Sequence, residues 1–272
     1  HDMGHGHPEQ PARLTAIEDQ LIASGVEQYL QRHDAPLALD EQLVRAHRVN
    51  YVHAVRDFAP SEGIVHLDPD TAMNPHSFSA ALRAAGAAVL ATDLVISGKV
   101  SSAFCAVRPP GHHACRSRSM GFCIFNNVAV AALHALEEHG LERVAIIDFD
   151  VHHGNGTEDI FAGDERVLMA SIFQHPYYPY SGTDDPARNM FNVPLAGGTG
   201  GQGLRAAVEK VWLPALEQFK PEMVFFSAGF DAHEEDDMSG LRFRDADYGW
   251  VTGQVKAVAD RYAKGRIVSM LE

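Results

Sequence analysis

Five short apolar runs recur along the chain, and helical patterns fill most of the gaps between them. The runs are 103–107 (AFCAV), 144–149 (VAIIDF), 167–172 (VLMASI), 223–229 (MVFFSAG) and 266–271 (RIVSML). The helical stretches are 78–98, ending at Gly98, 127–140, ending at Gly140, 203–219 and 245–265. Each carries apolar residues at helical spacing. Strands that are apolar on both faces must be covered on both faces. Strands that alternate with helices are joined by crossovers and run parallel. The pattern therefore predicts an α/β fold, three layers deep, with a central parallel sheet between helices.

The chain has 272 residues, 46% of them hydrophobic, which is enough to build one domain over 1–272. No repeat, linker or low-complexity segment divides it. No run of about 18 consecutive apolar residues is present, so no membrane span is expected. Cys105, Cys115 and Cys123 are an odd number in a long chain. That argues for buried thiols in a reducing compartment, here expected to be the cytoplasm. The formal net charge of −14 argues against direct nucleic-acid binding, which needs basic surface. It suits a cationic substrate, and it equally suits a plainly solvated surface.

In parallel α/β sheets, ligands bind beyond the carboxyl ends of the strands. Three of the five runs end in chemistry: RPPGHH after 103–107, DFDVHHGNG from 148, and SAGFDAH from 227. Alternate residues of a strand share a face, so Asp148, Asp150 and His152 point one way. Carboxylate and imidazole at that spacing can share one metal with bonds of about 2.0–2.2 Å. Asp231 would complete a set of two carboxylates and one histidine. Three protein ligands with an open position describe a catalytic site, and no Cys-x-x-Cys points to a structural one. His112 and His113 sit on a loop stiffened by Pro109 and Pro110. Adjacent histidines do not easily ligate one ion from one face, but they can act as base and acid on a metal-bound water. Each needs a partner on its far nitrogen, and Asp148 and Asn155 are of the right type. Taken alone, the pair would more often be packing residues; the neighbouring motifs decide the reading.

The segments HPEQPARL (7–14), VRPPGHHA (107–114), MGFCIFNNVAVAA (120–132), VAIIDFDVHHGNGTEDIF (144–161) and SAGFDAH (227–233) occur in order over nearly the whole chain. Together they resemble the zinc-dependent histone deacetylase family, most of all its class II and bacterial acetoin-utilization branch. The resemblance implies the arginase/deacetylase fold, with a sheet of about eight strands flanked by helices. It implies Zn²⁺ on Asp150, His152 and Asp231, with Fe²⁺ or Co²⁺ as other occupants. His113 would be general base and acid with Asn155 behind it, and His112 an electrostatic partner held by Asp148. Gly121, Phe122 and Tyr178 would form a narrow channel for lysine methylenes, with Met238 at its rim. Arg13 would border a cavity for released acetate. Backbone carbonyls of Asp148, Asp150, His152, Ser171 and Ile172 would hold a structural K⁺, with Phe161 and Val167 at a second cation site. The implied activity is hydrolysis of acetyl-lysine in a peptide, or of a related acetylated amine, with hydroxamates as inhibitors. The family's Gly-Gly-Tyr oxyanion donor would follow MLE, where this sequence stops at Glu272, and a first strand would precede His1. The sequence is therefore expected to be cut at both ends, and less active than a version carrying that tyrosine.

Three other readings compete. A dimanganese ureohydrolase on the same fold would need further aspartates where Asn155 stands. A non-catalytic acyl-lysine-binding module would bind a hydroxamate without turnover. A deacetylase of small molecules such as acetylpolyamines would keep the chemistry and change the substrate.

Overall fold

The structure is a computed structural model describing residues 1–272. Three helices open it, α1 (Ala12–Ala23), α2 (Asp40–Ala46) and α3 (Val49–Phe58). A two-stranded antiparallel ribbon follows, β1 (Val65–His66) and β2 (Ala72–Met73), then α4 (Ser77–Ile96). The rest alternates: β3 (Ser102–Cys105), α5 (Asn127–Glu137), β4 (Val144–Asp148), α6 (Asn155–Phe161), β5 (Val167–Gln174), β6 (Met190–Leu195), α7 (Gly201–Ala207), α8 (Leu213–Phe219), β7 (Met223–Ala228), α9 (Asp245–Tyr262) and β8 (Ile267–Leu271).

Each of the five apolar runs lies on a strand, and with β6 they form one parallel sheet in the order β3-β8-β7-β4-β5-β6. The sheet thus has six strands, fewer than the resemblance implies. β6 carries no apolar signature because it lies at the sheet's edge, half covered, with Asn192 and Pro194 in it. An edge strand tolerates a residue without an N–H.

Two apolar cores sandwich the sheet. Val144 and Ile146 of β4 join one, with residues of α2 to α6. Ala145 and Ile147 join the other, with α7, α8 and α9. This is why β4 reads apolar throughout rather than alternating. The stretch 203–219, read as one helix, is interrupted by a π turn at Val208–Trp212. Pro214 in the next turn lacks the N–H that a regular α-helix needs there.

α4 is the one helix whose length and composition bear on a membrane span. It is long and apolar enough to cross a membrane by length and composition, although Arg83 and Asp93 break any continuous apolar run. Half of that stretch is buried inside the protein, where its alanines let α5 and β3 approach closely.

The sheet order positions the site. From β4 the chain continues to β5 and β6 on one side, and from β7 to β8 on the other. β4 and β7 are neighbours, with Asp148 opposite Ser227. Their carboxyl ends therefore flank a crevice at a topological switch point, where ligands of such sheets bind.

The histidine loop above β3 is anchored by His47, just past α2. Its Nδ1 donates to the Cys115 carbonyl at 2.9 Å, and its Nε2 accepts from the Asn126 N–H at 2.9 Å. Both bonds require the neutral ring, and burial pushes its pKa down to about 4. The unfolded imidazole titrates near 6.5, so below that pH the unfolded chain takes up a proton that the folded one refuses. Stability is therefore lost as pH falls from about 6.5 to about 4, by roughly 3 kcal/mol in all from this residue. His47→Gln can make both hydrogen bonds without titrating. Urea midpoints measured from pH 7 to 4 should show the wild type's advantage over that variant shrinking by this amount. A constant difference would contradict it.

Candidate metal centre

β4 ends at Asp148, and the next turns of chain place Asp150 and His152 over the crevice; Asp231 follows β7 across it. His152 Nδ1 lies 3.0 Å from Asp150 Oδ1 and 3.0 Å from Asp231 Oδ2. All three donor atoms fall within 4.8 Å of one another. A tetrahedral ion with ~2.1 Å bonds holds its ligand atoms about 3.4 Å apart. The set thus fits a divalent ion with little movement. Two carboxylates this close also need a cation between them. Burial and the neighbouring Asp150 charge push the Asp231 carboxyl above the usual range. Burial opposes ionisation of Asp150 too, but His112 and His152 outweigh it and hold its carboxyl below that range. Glycine makes room for this ligand. A Cβ on Gly229 would stand 1.8 Å from Asp150 Oδ2, and one on Gly154 would stand 2.3 Å from Asp148 Oδ2.

The histidine pair lies beside the ligands, its rings 4.0 Å apart. His112 Nδ1 donates to Asp148 Oδ2 at 3.0 Å. Burial alone would lower its pKa; the Asp150 and Asp148 carboxylates reverse this and raise it to about 10. His113 Nδ1 lies 2.8 Å from Asn155 Oδ1, while Asn155 Nδ2 faces the Cys115 and Met120 sulfurs. An amide oxygen only accepts, so Nδ1 carries the proton and Nε2 keeps a free lone pair. Burial, then the charges of His112 and His152, push the His113 pKa well down, which keeps that lone pair available. Its ring is 5.8 Å from that of His152.

These groups floor a cavity of about 810 Å³. Gly121, Phe122, Tyr178 and Met238 all line it, as does Arg13. Gly121 has a positive φ of 56°, and a Cβ there would strike the His113 ring at 2.2 Å. The Tyr178 ring stands edge-on to His113 at 5.3 Å. Arg13 donates to the main-chain oxygen of Glu272. Of the proposed cation carbonyls, those of Asp148 and Ser171 belong to residues paired in register on β4 and β5, and Ile172 follows. At the second position, the carbonyls of Phe161 and Val167, with that of Asp164, all accept from the Asn189 side-chain amide at 2.8 to 3.1 Å. His7 stacks edge-on against the wall residue Phe122 at 4.7 Å.

Four contributors lay outside the sequence reading. The buried Glu272 carboxylate accepts the N–H groups of Gly111 and His112 at 2.6 and 3.0 Å and the Ser227 hydroxyl at 2.9 Å, fixing the histidine loop to β8 and β7. Asp70 accepts the Gly121 N–H at 3.0 Å and lies close enough to Tyr178 that its charge, after burial, pushes that phenol's pKa up. Tyr177 stacks on His152 at 5.6 Å, and Gly229 supplies the clearance already described. Glu272 could have been found, because it ends an apolar run just as Asp148 does.

A parallel α/β sheet with donors for one divalent ion at its switch point, and an oriented base beside them, defines a hydrolase. The sequence profile of the histone deacetylase domain matches residues 7–272, and the chain belongs to that family. It is 37% identical to the histone deacetylase-like amidohydrolase of Pseudomonas aeruginosa, over 98% of this chain and 72% of that one. It is 34% identical to a probable deacetylase of Archaeoglobus fulgidus, over 100% of this chain and 77% of that one. The crystal structure of the HDA15 HD domain superposes with a TM-score of 0.92 at 35% identity, over 98% of this chain and 76% of that one.

Proposed function

We propose that this protein is a metal-dependent amidohydrolase that removes the acetyl group from acetyl-lysine side chains or a related acetylated amine. The observation that carries the reading is His113. Its Nδ1 is fixed by Asn155 and its free Nε2 lies beside a trio of metal donors at the foot of a cavity. Asp150, His152 and Asp231 would hold the ion, with Zn²⁺ as the proposed occupant and Fe²⁺ or Co²⁺ as alternatives. Such an ion polarises a carbonyl and acidifies water. His113 Nε2 takes the proton from the attacking water as its oxygen bonds the acetyl carbon. The same nitrogen then gives that proton to the leaving amine as the C–N bond breaks, yielding acetate and a free amine. His112, held by Asp148, would act as an electrostatic partner next to the reacting carbonyl. Gly121, Phe122 and Tyr178 exclude water along the methylenes, and Met238 borders the mouth. Arg13, which lines the same cavity, would border the path of the released acetate. A structural K⁺ on the β4 and β5 carbonyls belongs to the same proposal, as does a reducing cytoplasmic location, which three free thiols suit.

The test is acetate release from an acetyl-lysine peptide by the Zn²⁺-loaded protein, with Asp150→Ala as control and a hydroxamate as inhibitor. Release that the control loses and the hydroxamate blocks is expected. Tight hydroxamate binding with no acetate from any acetylated amine would instead mark a binding module. One specific observation favours small cationic substrates as a second reading: Asp70, Asp236 and Asp237 all border the cavity. Acetylspermidine run beside the peptide decides between them by kcat/KM.

A further inference from the structure

A second donor cluster lies away from that cavity. α5 ends at Glu137 and the chain then turns into β4, so the last turn of α5 stands near the amino-terminal ends of the strands, opposite the crevice. There His134 of α5 and His139, just beyond the helix, converge on Asp93 of α4. Their Nε2 atoms lie 2.8 and 2.7 Å from the same carboxylate oxygen, Oδ1. The two rings stand 5.1 Å apart and nearly perpendicular. The His134 side chain is 6% exposed, His139 25% and Asp93 46%, so the cluster is anchored inside and open on one side.

We propose that Asp93, His134 and His139 form a second metal site, which takes one borderline divalent transition ion such as Zn²⁺, Co²⁺ or Ni²⁺ and ties α4 to the end of α5. Two imidazoles and a carboxylate suit such ions, and an open fourth position remains for water. The three donor atoms already fall within 4.8 Å of one another. Separating each imidazole nitrogen from Oδ1 to the ~3.4 Å of a tetrahedral ion takes a movement of roughly half an ångström. None of the three residues lines the cavity, so this site is independent of the deacetylase reading.

Arg45 sets the terms of binding. Its Nη1 lies 2.9 Å from His134 Nδ1, and a guanidinium only donates. Nδ1 is therefore the acceptor, and Nε2 bears the proton that points at Asp93. An ion on Nε2 needs the lone pair there, so the ring proton must move to Nδ1, where it faces Arg45. Arg45 must then swing away, and Glu137 and Glu138 already lie 3.7 and 3.0 Å from its other nitrogens. Ion and arginine compete for one histidine.

Equilibrium dialysis with Zn²⁺ alone tests the site on the full chain. The wild type should bind two ions, and Asp150→Ala and His139→Ala one each. Arg45→Met should bind the second ion more tightly, by about ten-fold or more, the scale on which outer partners tune metal sites. With Co²⁺, the absorption band of the ion kept by Asp150→Ala should vanish in the Asp150→Ala, His139→Ala double variant. His139→Gln is the companion variant, and circular dichroism shows whether each chain is folded. His139→Ala should release acetate at the wild-type rate. Asp150→Ala retaining no ion, or retaining one that His139→Ala and His139→Gln do not weaken, overturns the proposal. Loss of the cavity ion alone leaves the second site in place, so the two readings fail separately.

Discussion

Replacing His113 with alanine is expected to lower acetate release about 10²–10⁴-fold, the usual worth of a positioned general base and acid. The metal content should not change, because His113 is not among the donors. The loss should fall on kcat, since the ring acts on the reacting water and the departing amine rather than on the lysine stem. Asn155→Ala should reproduce part of it. Without the amide oxygen, nothing holds the proton on Nδ1, and the ring divides between two tautomers. An unchanged kcat in His113→Ala would assign the proton transfers elsewhere, with His112 the next group within reach.

Gly229→Ala carries the second large effect, although it adds a single methyl group. The new Cβ would stand 1.8 Å from Asp150 Oδ2, 2.5 Å from its Cγ and 2.8 Å from its Cβ. That neighbour is no flexible tip, because its other oxygen is held by the His152 backbone N–H at 2.7 Å and by the His152 ring. Either the end of β7 or the carboxylate must shift. Metal affinity should fall by at least the 10- to 100-fold that misoriented ligands cost. Overpacking should add about 1–3 kcal/mol of destabilisation. Competition with a chelator measures the first quantity and thermal unfolding the second. A variant with wild-type metal affinity would mean that the crevice between β4 and β7 opens more readily than its packing suggests.

Much of this architecture is written locally in the sequence. Strands buried on both faces read as uninterrupted apolar runs, which is why β4, β5 and β7 can be located from hydrophobicity alone. β8 is partly covered and β3 is an exposed edge strand, and both are found only because their residues happen to be apolar. β6 is half covered and holds Asn192 and Pro194, so the same criterion passes it by. The metal donors were legible because strand ends concentrate chemistry at one edge. Asp150 and His152 follow β4, and Asp231 follows β7, so hydrophobicity and residue type are read together. Glu272 obeys that rule and was overlooked, because a carboxylate at the last position reads as a terminus and not as an acceptor of two loop N–H groups. Asp70 was beyond reach. It follows no apolar run, and its partner Gly121 is distant in sequence. Gly229 and Gly154 belong to the same kind, since a clearance between two side chains has no signature in one dimension. α4 was legible as a helix from its apolar spacing, and packing places half of it inside the core.

The placement of the donors has a consequence for how such a chain can change. Asp150, His152 and Asp231 follow directly on two adjacent strands of a sheet packed on both faces, whereas Met238 lies ten residues past the end of β7. The donor trio and that part of the rim are therefore held by different stretches of chain, and changes near Met238 can recharge the entrance while the donors stay in register. Phe122 is different: it shares the β3–α5 connection with His113, and Gly121 packs against the His113 ring, so a change in that wall is also felt by the base.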